Sequence, residues 1–107
     1  MNDNVSEFND EDQKIADLIK RRRLQILVHS CIYYHMDENI ITDKQYDTWA
    51  RELQKLQEEH PLISEKVIWN EAFKGYDAST GFDLPITDPW VVRKAEYLID
   101  ICSKGER

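Results

Sequence analysis

Apolar side chains recur at helical spacing through two long stretches of this chain, and only a short polar turn, Asp37-Glu38-Asn39, divides them. In the first stretch Ile15, Leu18, Ile19, Ile26, Leu27, Cys31 and Ile32 mark one stripe, which predicts a long helix ending near Met36. In the second, Tyr46, Trp49, Leu53 and Leu56 repeat at intervals of three and four and give a matching seam. Thr42 supplies a capping hydroxyl for this second helix, Gln45 completes the capping box, and His60-Pro61 stops it. Two amphipathic helices joined so closely bury their seams by lying antiparallel. The fold class is therefore all-α, a small helical domain built on a long helix hairpin.

Further along, Leu62, Ile63, Val67, Ile68 and Trp69 form an apolar cluster of the length of a short third helix, and residues 75–81 read as a turn-rich loop. Asp88-Pro89 opens a last helix, with Asp88 as cap and proline at the first helical position. Trp90, Val91, Ala95, Leu98, Ile99 and Cys102 then cover its inner face, and Gly105 closes it. At 107 residues the chain supports one hydrophobic core. Residues 1–10 read as a flexible acidic lead and 11–107 as a single helical domain.

The formal charge of −7 and a pI near 4.9 oppose sequence-independent DNA binding, which needs a surplus of lysine and arginine on the contacting face. Lys20 with Arg21-Arg22-Arg23 is the one basic run, and on a helix it reads as a solvated face. No apolar segment approaches the roughly 20 residues that span a bilayer, and Met1-Asn2-Asp3-Asn4 lacks the basic start of a secretion signal. A cytoplasmic chain with Cys31 and Cys102 as reduced, core-filling thiols is expected. His29, Cys31 and His35 have no standard metal-ligand spacing.

The string Tyr33-Tyr34-His35-Met36-Asp37, followed by Ile41-Thr42-Asp43-Lys44-Gln45-Tyr46-Asp47 and the run from Arg51 to Pro61, resembles the N-terminal nicotinamide-binding (Ia) subdomain of bacterial NAD+-dependent DNA ligases. The resemblance covers residues 21–61 and leaves 62–107 as a part without a ligase counterpart. It implies a cofactor, NMN or NAD+, with Tyr33 and Tyr46 against the nicotinamide ring and Asp43 and Asp47 orienting the carboxamide or ribose. Tyr34 stands where many of those ligases carry histidine, and joins the candidate binding set. The chemistry suits these residue types: the oxidised ring is a flat cation, which aromatic faces attract and carboxylates neutralise.

No Lys-x-Asp-Gly adenylation motif occurs in the chain, so these residues offer no nucleophile for AMP and ligation by them alone is not expected. The resulting expectation is a ligase-Ia-like domain that captures a nicotinamide nucleotide without catalysing ligation. It resembles the small stand-alone ligase fragments of bacteriophages, acting alone or in trans to a ligase-type catalytic domain. The alternative is an acidic helical protein that docks on a host or phage protein, its strong negative charge steering basic partners while the nucleotide site is vestigial.

Overall fold

The computed structural model describes residues 8–79 and 84–105. Helix α1 (Asp10–Ser30) starts where Asn9 accepts the Asp12 amide at 2.7 Å, and Asp10, Glu11 and Asp12 place negative charge at its positive end. Phe8, from the expected flexible lead, packs on the core. One widened turn of π-helix, Cys31–His35, extends α1 to Met36, the expected end. Asp37 then adopts the left-handed conformation (φ 55°) that its short polar side chain tolerates, and the Glu38 amide closes on the Ile32 carbonyl at 2.9 Å.

Helix α2 (Asp43–Glu59) begins at Thr42, whose hydroxyl accepts the Gln45 amide at 3.0 Å as the capping pattern implies. Pro61 does more than stop it. It opens α3 (Pro61–Ser64), a single turn, because a proline at the first helical position has no amide to waste. The short third helix expected across 62–69 ends there. Residues 65–75 run through successive turns, Trp69 sits at φ 72°, and Leu62 and Ile68 face solvent while Val67 alone of that cluster is fully buried. Helix α4 (Pro89–Gly105) starts at Asp88, whose carboxylate accepts the Trp90 amide at 2.9 Å. Residues 80–83, within the expected loop, lie outside the described residues, as do 1–7 of the lead.

α1 occupies the middle, against α2, α3 and α4. Ile19, Ile26, Leu27, Cys31 and Ile32 from α1 and the π turn meet Ala50 and Leu53 from α2, Val91 and Ala95 from α4, and Phe73 from the connection, all sealed from solvent. Both cysteines are free, Cys31 buried and Cys102 half-buried. Among the described residues no strand occurs and no helix is long and apolar enough to cross a membrane.

The basic run is the main correction. Successive helical residues point about 100° apart, so Arg21 is exposed, Arg22 half-buried and Arg23 only 1% exposed. The Arg23 guanidinium donates to Gln57 Oε1 (2.8 Å), to the carbonyls of Val67 (3.0 Å) and Ile68 (3.1 Å), and to that of Ser64 (3.2 Å). It binds the irregular 64–68 segment to the hairpin, which an apolar residue, having no donor for those carbonyls, could not do. Arg22 lies over the Trp49 ring and donates to Glu52 at 2.7 Å and Gln25 at 2.7 Å. A solvated basic face is not what the triplet forms.

Candidate functional site

The closed end of the hairpin holds a cavity of about 580 Å³, within the range of roughly 300–1,000 Å³ usual for small-molecule sites. Three local features build it. The π turn presents Tyr33 and Tyr34, the loop 37–42 forms the rim, and the first turn of α2 carries Asp43, Tyr46 and Asp47. All five residues singled out by sequence line this one space.

Tyr33 and Tyr34 are about half exposed, and their rings meet edge-on with centroids 4.8 Å apart. That arrangement leaves aromatic surface open to the cavity mouth. Tyr46 is less free: its hydroxyl shares a 2.7 Å hydrogen bond with Ser30, tying α2 to the end of α1. Burial pushes the Tyr46 phenol above its ordinary pKa, against the opposing effect of Ser30, so it remains a neutral donor or acceptor. Asp43 stands at the start of α2, beside the positive end of the helix. Asp47 pairs with Arg51 one turn on, at 3.0 Å, both groups open to solvent.

Among the further lining residues that sequence reasoning missed are His29, Glu38, Lys44 and Ala78. His29 had a signal, since it precedes Tyr33 by four and therefore shares its helix face. It packs against Trp49, ring centroids 5.5 Å apart, and burial lowers its pKa, which keeps the imidazole neutral near pH 7. Ala78 had none, lying more than 30 residues from the other lining groups in α2. Among the described residues no group of three or more His, Cys, Asp or Glu side chains is disposed to hold a metal.

The cavity wall thus carries three carboxylates, Asp43, Asp47 and Glu38, against one lysine, with three tyrosines and a neutral histidine. Such a lining favours a flat or cationic ligand with hydroxyl groups over a compact anion.

Residues 12–66 match the family model described as the DNA ligase-like, N-terminal NAD+-binding domain. The chain belongs to this family. Among curated relatives, the DNA ligase of Geobacter metallireducens is 43% identical over 55 residues, 51% of this chain and 8% of the ligase. That of Pseudomonas paraeruginosa is 41% identical over 53 residues, 50% of this chain and 7% of the ligase. The Bacteroides fragilis DNA ligase is 40% identical over 47 residues, 44% of this chain and 7% of the enzyme. The matched part of the chain therefore spans less than a tenth of each ligase's length. No solved structure matches it. The matched stretch begins within α1, nine residues before the expected Arg21, and ends just past α3, so the hairpin and its closed end fall inside it while residues 67–107 fall outside.

Proposed function

We propose that this domain binds the nicotinamide mononucleotide moiety of NAD+, as free NMN or within the dinucleotide, and does not itself transfer AMP. One observation carries the reading: Tyr33, Tyr34, Asp43, Tyr46 and Asp47 surround a single cavity with an acidic, aromatic lining. In this reading Tyr33 and Tyr34 lie against the pyridinium ring, where cation–π attraction favours the oxidised cofactor. Asp43 and Asp47 accept hydrogen bonds from ribose or carboxamide and offset the ring's charge. Tyr46, anchored by Ser30, closes the floor. The chain has no Lys-x-Asp-Gly lysine. Its role is then capture of the cofactor, either alone, as in a phage-encoded fragment working in the host bacterial cytoplasm, or in trans to a ligase-type catalytic domain.

A second reading has one feature in its favour. On α4, Tyr97 and Ile101 are 62% and 43% exposed, apolar surface that an acidic scaffold docking on another protein could use. Calorimetric titration separates the two. Saturable binding of NMN and NAD+, absent with AMP and lost in Asp43→Ala with helical content unchanged, is expected for the nucleotide domain. A wild-type chain that gives no heat at millimolar NMN refutes it and leaves the docking scaffold.

A further inference from the structure

We propose that Lys44 is the phosphate-binding residue of the cavity, its ammonium pairing with the phosphate of the bound nucleotide, so that the site selects NMN over nicotinamide riboside. The inference rests on the reading of the cavity as a nicotinamide nucleotide site. NMN carries two opposite charges, a cationic ring and an anionic phosphate, with the ribose between them. The tyrosines and carboxylates of the lining answer the ring and the ribose but offer the phosphate no counter-charge. Among the described residues that line the cavity, Lys44 is the one lysine or arginine.

Its place on α2 points the same way. Thr42 is the cap, so Lys44 is the second residue of the helix, and the Gln45 amide is already bonded to the Thr42 hydroxyl at 3.0 Å. The Asp43 and Lys44 amides have no acceptor within the helix and take none elsewhere among the described residues. They stay available at the positive end of α2, where an anion is stabilised. Helical side chains lean toward the N-terminus, which brings the Lys44 stem back toward those two amides. The ammonium is also uncommitted. Arg22, Arg51 and Lys55 pair with Glu52, Asp47 and Glu59, whereas Lys44 is exposed and forms no ion pair among the described residues. A cation in the first turn of a helix works against the macrodipole, a local conflict that an anion bound beside it relieves. The neighbouring carboxylates do not cancel this arrangement. Adjacent helical residues point about 100° apart, so Asp43 and Lys44 offer opposite charges to different parts of the cavity, and Arg51 already offsets Asp47 at 3.0 Å.

Lys44→Met removes the ammonium and keeps an unbranched stem. Calorimetric titration is expected to show NMN binding weakened about tenfold with nicotinamide riboside binding unchanged, while Lys44→Arg retains most of the NMN affinity. In the wild-type chain NMN should bind more tightly than the riboside, by a margin that shrinks as salt is raised. Full NMN affinity in Lys44→Met, or equal weakening of both ligands, which marks a structural role for the side chain, would overturn the inference and spare the nucleotide reading. So would a wild-type chain that binds the riboside as tightly as NMN. A wild-type chain that binds neither overturns both.

Discussion

Arg23 ties three parts of this fold together, and replacing it with methionine isolates its hydrogen bonds from its bulk. Methionine keeps an unbranched stem but removes the donor of the Val67 and Ile68 carbonyls and of Gln57 Oε1, while the Ser64 carbonyl keeps the Val67 amide at 3.2 Å. Each such bond contributes about 0.5–1.5 kcal/mol net, and more where a charge takes part. Against this stands the cost of burying a guanidinium whose partners among the described residues are neutral carbonyl oxygens. That burial lowers its pKa to about 10 and still leaves it cationic at neutral pH, and methionine abolishes the cost. The groove that Arg23 lines with Gln57 and Ser64 also admits water to some of the abandoned acceptors. The balance is a loss of about 3 kcal/mol. With an unfolding entropy of about 2.1 cal/mol/K per residue over 107 residues, each kcal/mol is about 4 °C, so the melting temperature should fall by about 13 °C. Urea and thermal unfolding followed by helical circular dichroism measure it. The same substitution at Arg22, a half-buried pair with Glu52, should cost about 1 kcal/mol, and at Arg21 nearly nothing. Equal losses along the triplet, or a loss at Arg23 below about 1 kcal/mol, would refute the account of it as a buried clamp.

Two further outcomes follow from named groups. His29 has a lowered pKa through burial, so the unfolded chain binds its proton more tightly than the folded one. Its contribution to stability is fully present above the unfolded value of about 6.5 and is lost as pH falls toward the folded value. The melting temperature should decline below about pH 6.5, and His29→Gln should flatten that decline; NMN affinity should hold through that window and fall only at the lower pH where the folded imidazole itself becomes cationic and repels the pyridinium ring. Asp88→Ala removes the oxygen that receives the Trp90 amide at 2.9 Å, and should cost about 1 kcal/mol in urea unfolding without altering NMN binding, since no described residue of α4 lines the cavity.

The hairpin was legible in the residues themselves because its instructions are local. Thr42 and Asp88 cap helices through bonds that reach two or three residues, and the stripe from Ile15 to Ile32 needs only the helical period to be recognised. The five tyrosines and aspartates of the candidate site belong to the same class: they fall within fifteen consecutive positions, 33–47, so any hairpin that closes there brings them together. Arg23 was not legible. Its charge and its basic neighbours speak for solvent, and what buries it are carbonyls more than 40 residues away, released from helical bonding where α3 gives way to turns. Ala78 was hidden for the same reason, since a turn-rich segment has no period to say which way it faces, and Gln54 and Gln57, whose side-chain amides hold it, look like ordinary surface residues of α2. Short-range order came from propensity and capping. Which polar groups went inside, and which loop brought Ala78 to the cavity, depended on long-range packing that forms only once α1 lies between α2 and α4.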